Sequence, residues 1–360
     1  MRTRILFIIA IVVLFSCGSN NLKDEIGTDD LNEYLKMQLK DTTYLGIIYN
    51  KAENNKDTLF IHGSATRGQK KEINEETLFE IGSVTKTFTS LLIAIAVEEG
   101  KLNYDDPVKK FLPESTIIPQ NAAGDITIRQ LITHTSGLPY LPTNIRTDNL
   151  THQTYDFLNY TSTDLCEFLK DYKIQGVVKD SMIYSLVGFG ILGYTLESIY
   201  EQSFNELVIS KITKPLGMTR TGLNYKEHPD DNYADGYLGM EKANWYRNDS
   251  CIVNSSGGIR SCIKDLKIYA MANACIIETP LYPAMLKMRE VQFKNSESSR
   301  IIGYRCLGWS KKDEYFFHFG GTQGFIAFVA FNPKEKKTYI LHANVAYNQL
   351  GIPWLLEFGA

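Results

Sequence analysis

Leu78-Phe79-Glu80-Ile81-Gly82-Ser83-Val84-Thr85-Lys86-Thr87-Phe88 is the stretch from which the rest of the chain is read. A strongly apolar helix is predicted from Val84 to Glu98, ended by Gly100. Residues three apart on a helix share a face, so the Ser83 hydroxyl and the Lys86 amine can meet. A serine hydroxyl is a poor nucleophile until a base takes its proton. A lysine serves as that base once burial or a nearby positive charge lowers its pKa. Free N–H groups at a helix start, Ser83's own among them, also favour negative charge on an attacked carbonyl oxygen. The spacing alone decides nothing, because Ser261-Cys262-Ile263-Lys264 repeats it. Ser261 opens a plain amphipathic stretch and reads as an ordinary N-cap.

Outward from this stretch, strand-like runs precede it at Tyr44–Tyr49 and Thr58–His62, joined by turn-prone Asn54-Asn55-Lys56-Asp57. Helical patterns follow at Ile128–Leu131, Asp164–Leu169, Gly188–Tyr200 and Phe204–Ile212, punctuated by glycine and proline. From Cys306 onward strands return, at Cys306–Ser310, Glu314–Phe319, Gly324–Phe331 and Lys337–Val345, with a short closing helix at Ile352–Phe358. Strands at both ends around a helical middle predict an α+β fold, one antiparallel sheet built from both termini with a helical lobe inserted. The expected sheet lobe covers about 30–82 and 300–360, and the helix-rich lobe about 83–299.

Further segments carry a likeness. Gly100-Lys101-Leu102, Asp105-Asp106-Pro107-Val108 and Phe111-Leu112-Pro113 follow the serine segment. Then come Ile128-Arg129-Gln130-Leu131-Ile132-Thr133-His134-Thr135-Ser136-Gly137-Leu138-Pro139, Pro215-Leu216-Gly217-Met218-Thr219-Arg220-Thr221, and Gly257-Gly258-Ile259 with Asp265-Leu266. In order and spacing over most of residues 30 to 345, the chain resembles class C β-lactamases and the related penicillin-binding D-alanyl-D-alanine peptidases and esterases. The resemblance implies a β-lactamase/transpeptidase-like fold, with Ser83 as nucleophile and Lys86 as its activating partner.

The resemblance also implies a tyrosine from a Tyr-x-Asn motif, matched by Tyr184-Ser185-Leu186 just before Gly188-Phe189-Gly190. Tyr184, lowered in pKa by nearby positive charge, would share proton transfer with Lys86. Leu186 replaces the motif's asparagine, and an isobutyl group cannot hold lysine or substrate by hydrogen bonds. A literal Tyr-x-Asn at Tyr246-Arg247-Asn248 lacks the glycine-rich helix that should follow. The third element, His318-Phe319-Gly320-Gly321, resembles the Lys-Thr-Gly strand in its His-x-Gly form, which suits peptidases and esterases. The Gly321 N–H would join that of Ser83 in an oxyanion hole. His318, Phe319, Gly320 and Leu186 would border the substrate, Phe319 by narrowing the cleft or walling it. His134 reads as a buried, hydrogen-bonded histidine in a structural turn.

At the other end, Arg2 and Arg4 precede an apolar run of eleven residues, Ile5 to Phe15, followed by Ser16-Cys17. The run is too short to span a bilayer as a helix and reads as a signal peptide. Leu14-Phe15-Ser16-Cys17 resembles a bacterial lipoprotein processing site, which implies lipidation of Cys17 and export to the cell envelope, with membrane anchoring by the lipid. Residues 18–29 would be a polar tether, Leu31, Tyr34, Leu35 and Leu39 an opening amphipathic helix, and 30–360 the catalytic domain. A net charge of −3 gives no basic surface, so nucleic acid is not an expected partner. The six histidines and six cysteines show no ligand spacing, so no metal or other cofactor is implied. Most of the cysteines read as small buried apolar residues, their pairing left open. Oligomeric state is equally open. The expected partner is a small-molecule or peptide substrate, cell-wall peptide included. Two activities compete: acyl-enzyme hydrolysis of a peptide, ester or β-lactam carbonyl, with D-alanyl peptidase or esterase ahead of efficient β-lactamase, and a catalytically weakened relative, damaged at Leu186, that binds cell-wall peptide or a protein partner.

Overall fold

The two ends of the described chain meet in one sheet. The structure is a computed structural model, and the residues it describes are 46–53, 56–145, 159–174, 182–223, 232–243, 251–295 and 303–345. The signal segment with Cys17, the tether, the helix through Leu31–Leu39, Tyr246–Asn248 and the closing helix at Ile352–Phe358 lie outside them.

In chain order the strands are β1 (Ile47–Glu53), β2 (Lys56–His62), β3 (Phe79–Glu80), β4 (Gly236–Leu238), β5 (Glu241–Ala243), β6 (Arg260–Ser261), β7 (Val291–Lys294), β8 (Tyr304–Cys306), β9 (Ser310–Lys312), β10 (Tyr315–Gly321), β11 (Ile326–Asn332) and β12 (Lys337–Ala343). Eight of them form an antiparallel sheet in the order β2-β1-β12-β11-β10-β9-β8-β7. The N-terminal hairpin joins the C-terminal strands through Ile47↔Ala343 and Ile48↔His342, so the expected sheet built from both ends is what forms.

The helices are α1 (Thr85–Glu98), α2 (Ile128–Ile132), α3 (Ser162–Asp171), α4 (Leu186–Tyr200), α5 (Phe204–Val208), α6 (Asn254–Gly257), α7 (Ile263–Asn273) and α8 (Tyr282–Met288). Twelve of the fourteen α1 residues, Thr85 to Ala96, are buried. A helix apolar on all sides must lie inside, and α1 packs against α4, α6 and α8. On the sheet, alternation sorts β12 between two layers. Ile340 joins the large core under the helices, and Tyr339 and Leu341 join Phe328, Ile47 and Tyr49 on the opposite face.

Some elements differ from the sequence reading. Cys306–Ser310 is not one strand: the chain bends after Cys306, with Gly308 at φ +137° against Ser90 and Met288, and resumes as β9 at Ser310. The sheet also gains β7 at Val291–Lys294, ahead of residue 300. The helix expected through Ile212 changes at Ile209 into a π turn over Ile209–Thr213, then Lys214–Leu216, and Gly217 ends it at φ +72°.

Candidate active site

Ser83 sits in a 3₁₀ turn, Gly82–Val84, between β3 and α1. Gly82 has φ +47°, where a side chain would be strained, and a Cβ there would lie 2.6 Å from the Gly321 nitrogen. The turn is tied down by Ile81 N–H to Ile259 O at 3.1 Å and Val84 N–H to Ile81 O at 3.1 Å. No side-chain bond caps α1, whose N-cap is Val84. Ser83 is therefore half-buried at the helix entrance without serving as a cap.

Lys86 is 1% exposed, and its Nζ lies 3.2 Å from Ser83 Oγ and 2.6 Å from the Ser256 carbonyl oxygen. The amine stands 4.8 Å from the Tyr184 ring centroid and 5.4 Å from that of Phe189. Burial, aided by the Arg305 guanidinium, holds Lys86 well below the ordinary lysine range. Neighbouring threonines fasten the same stretch to α6 and the residues just after it: Thr89 Oγ1 donates to Ser255 O at 2.6 Å and Thr85 Oγ1 accepts from Ile259 N–H at 3.2 Å. A hydroxyl from the turn, a desolvated amine from α1 and a fixed carbonyl from α6 thus converge.

The half-buried Tyr184 hydrogen-bonds Ser83 through its side chain. Here the structure corrects an expectation. Burial raises the Tyr184 pKa, and the bond to Ser83 and the Arg305 charge only partly oppose this. Tyr184 is therefore a protonated phenol at neutral pH. The segment carrying it rests on the turn after α2. Ile183 N–H donates to His134 O at 2.9 Å, Ser185 N–H to His134 Nδ1 at 3.1 Å, and Leu186 N–H to Tyr140 O at 3.0 Å. Buried His134, at φ +62°, packs its ring 4.4 Å from that of Tyr184. Its work is to position the tyrosine, as a structural-turn histidine would. Leu186 opens α4, and the Ser256 carbonyl, not a side-chain amide, accepts from Lys86.

β10 forms the opposite wall of the turn. A Cβ on Gly320 would fall 1.9 Å from Ile81 O, so only glycine lets the strand come this close. His318 is buried, its Nδ1 donates to Phe319 O at 2.7 Å, and burial, aided by the Arg305 charge, brings its pKa down to about 3. Phe319 projects from the other face of the strand, 4.6 Å from Phe328 and 5.8 Å from Phe317 between ring centroids. The structure thus brings Ser83, Lys86, Tyr184, His318 and the Gly320-Gly321 backbone together, and places the Phe319 ring in the aromatic cluster on the far side of the sheet.

The second Ser-x-x-Lys is not assembled. Ser261 lies in β6 with its Oγ 2.7 Å from Thr221 Oγ1, Cys262 is the cap residue of α7, and Lys264 pairs with Glu76 at 2.6 Å. The N-cap reading of Ser261 is replaced by a buried hydroxyl pair. Cys251, Cys262 and Cys306 are buried, Cys166 and Cys275 half-buried, and none of the five is in a disulfide. Among the described residues no group of three or more His, Cys, Asp or Glu could hold a metal ion, and no helix is long and apolar enough to cross a membrane. Sequence reading missed the Ser256 carbonyl, the Phe189 ring and Arg305. The first two lie in the Gly257-Gly258 and Gly188–Gly190 neighbourhoods it singled out, but nothing in the sequence marks Arg305.

A protein-family model described as Beta-lactamase matches residues 42–353. The chain belongs to the Beta-lactamase family. This family of serine hydrolases includes the relatives to which the chain is similar. One is Protein flp of Staphylococcus aureus (strain NCTC 8325 / PS 47), 26% identical over 293 residues, covering 77% of this chain and 54% of that protein. The chain therefore spans about half the length of such curated relatives. Another is a Beta-lactamase of Escherichia coli (strain K12), 22% identical over 323 residues, covering 80% of this chain and 81% of that one. The fold matches a class C beta-lactamase with TM-score 0.77 at 22% identity, over 94% of this chain and 98% of that chain. It also matches the octameric penicillin-binding protein homologue from Pyrococcus abyssi with TM-score 0.77 at 23% identity, over 93% of this chain and 78% of that one. The β-lactamase/transpeptidase-like fold expected from the motifs is the one found.

Proposed function

We propose that this family member is an active serine hydrolase that works through an acyl-enzyme at Ser83, with peptide or ester carbonyls, D-alanyl peptides among them, ahead of β-lactams. One observation carries the reading: a buried amine, Lys86 Nζ, 3.2 Å from the Ser83 hydroxyl oxygen. Ser83 Oγ forms a bond to the substrate carbonyl carbon while its proton passes to the neutral amine of Lys86. The Ser83 and Gly321 N–H groups take the negative charge on the carbonyl oxygen. The intermediate collapses, the carbonyl–leaving group bond breaks, and the leaving group departs with a proton relayed through Lys86 and Tyr184. Water then repeats the sequence to release the acyl group. His318 stands where β-lactamases carry a lysine and is neutral, which supports peptidase or esterase chemistry over efficient β-lactam turnover.

The test is intact mass of the detergent-solubilised chain after incubation with a fluorophosphonate and, separately, a penicillin. A one-to-one fluorophosphonate adduct, absent in Ser83→Ala, is the expected result. A stable penicillin adduct favours the peptidase branch, and none favours the esterase branch. Folded protein that gains no adduct from either reagent moves the function to binding of cell-wall peptide or a protein partner. The reading includes export to a bacterial cell envelope with lipid on Cys17. Incorporation of labelled palmitate that persists in Cys17→Ala would refute that part.

A further inference from the structure

Tyr140 follows the turn in which His134 and Gly137 take positive φ, and its side chain is 42% exposed. Two hydrogen bonds lock this turn to the segment of the catalytic tyrosine. Ser185 Oγ donates to Pro139 O at 2.7 Å, and Leu186 N–H donates to Tyr140 O at 3.0 Å. Ser185 Oγ also accepts from Gly188 N–H at 2.9 Å. With both backbones fixed, the Tyr140 ring stacks on that of Tyr184, centroids 6.2 Å apart and planes 29° from parallel. Tyr184 bonds Ser83, so the Tyr140 ring stands one ring away from the group that touches the nucleophile. The Tyr184 ring also meets His134, 4.4 Å away between centroids, and the Lys86 amine, 4.8 Å from its centroid. Of these three neighbours only Tyr140 is exposed. The backbone groups of this wall satisfy one another, and position 186 adds an isobutyl group in place of an amide's donor and acceptor.

We propose that Tyr140 determines specificity: its exposed ring, stacked on Tyr184, receives an aryl or alkyl group flanking the scissile carbonyl of the substrate. The proposal deepens the function given above and rests on the reading of Ser83 as nucleophile. Substrate sites are lined mainly by aromatic and apolar side chains, with a few polar groups that fix orientation. Aromatic rings attract one another beyond the area they bury. An acylamino group set against this wall gives up water without meeting a side-chain amide, and such unpaired polar groups are strongly penalised. The preferred substrates are therefore esters with an aryl or alkyl substituent beside the carbonyl. Esters and peptides whose carbonyl is flanked by an amide come second.

The experiment measures kcat/KM for ethyl acetate, ethyl phenylacetate, benzyl acetate and ethyl N-acetylglycinate, each divided by the ester's own alkaline hydrolysis rate. Wild type, Tyr140→Ala and Tyr140→Phe are used as the full chain in detergent, with folding checked by thermal unfolding. In wild type at least one phenyl-bearing ester should exceed both ethyl acetate and the N-acetylglycinate by at least about tenfold. Tyr140→Ala should shrink that preference by at least about fivefold, and Tyr140→Phe should keep it. A preference unchanged in Tyr140→Ala, including a loss of rate equal for all four esters, would overturn the proposal and leave the ring as a support for Tyr184. A wild type that favours the N-acetylglycinate would overturn it too. A second measurement does not need catalysis: saturation-transfer NMR of phenylacetamide with Ser83→Ala, with and without Tyr140→Ala. Transfer to the phenyl protons should fall at least about fivefold in the double variant, and equal transfer would refute the idea. Wild type inert toward every ester, with phenylacetamide still bound through Tyr140, would strike the proposed function alone.

Discussion

Lys86 is the residue on which chemistry and stability pull apart. Its amine is desolvated, which disfavours the charged form, and its hydrogen bonds to Ser83 Oγ and Ser256 O suit a neutral donor as well as an ammonium. Replacing it with an uncharged chain of similar length removes a poorly placed polar group and the base together. Lys86→Met should lose fluorophosphonate labelling by at least about a hundredfold and unfold at no lower temperature than wild type, both read on one preparation. A variant that keeps labelling would remove Lys86 from the mechanism. At the same scale, Leu186 ceases to be a deficiency once Ser256 is seen accepting from the lysine. Because a single added neutral hydrogen bond contributes little net, Leu186→Asn should change the acylation rate by less than about threefold. A larger rise would mean that the amide is missed after all.

At the scale of elements, the site depends on how closely β10 approaches the turn that carries Ser83. Three glycines separate the requirements. A Cβ on Gly320 would meet Ile81 O at 1.9 Å, one on Gly82 would meet the Gly321 backbone from 2.6 Å in a left-handed conformation, and one on Gly321 meets nothing within 4 Å. Gly320→Ala and Gly82→Ala should therefore each cost about 1–3 kcal/mol in urea unfolding and abolish labelling, while Gly321→Ala keeps its stability. Equal stability of all three would show that the turn and strand are not so tightly apposed. The sequence allowed part of this to be read. The Ser83–Lys86 spacing, the apolar α1 and the His318–Gly321 strand were legible because helix and strand periodicities place side chains by local rules. What escaped depends on contacts distant in sequence. Arg305 bears on Lys86 electrostatically only because β8 joins the sheet, and the apparent strand over Cys306–Ser310 is broken at Gly308, whose φ of +137° and lack of room for a side chain beside Ser90 and Met288 sequence alone does not show. Phe319 looked like cleft wall because its neighbours in sequence are in the cleft, but a strand sends adjacent side chains to opposite faces. The raised pKa of Tyr184 shows burial outweighing charge, a comparison that needs the folded site.

The whole molecule buries histidines that must be neutral in the folded state. His342 on β12 is 0% exposed, both ring nitrogens lack partners, its ring lies 5.1 Å from that of Phe79, and burial pushes its pKa down to about 3. His318 is brought to about 3 and His134 is lowered well below the ordinary value, so the tendency is shared between the sheet and the site. In the unfolded chain each imidazole titrates near its usual value of about 6.5. Between there and about pH 3 the unfolded state binds more protons than the folded one, so stability falls as pH falls through that window and is fully present above it. His342→Phe keeps a ring against Phe79 and removes the proton site without touching Ser83 or Lys86. The urea midpoint of wild type should drop steadily from pH 7 to pH 4, and His342→Phe should flatten that drop by an amount corresponding to about 2–4 kcal/mol at the acid end. The two proteins should differ little in slope above pH 7. Parallel profiles for the two proteins would mean that His342 finds a partner or water on protonation, and that acid sensitivity arises at His134 and His318 in the site. The companion variant His318→Gln would then carry the flattening, and because His318 sits beside Lys86 it would shift the acylation profile as well, which His342→Phe should leave in place.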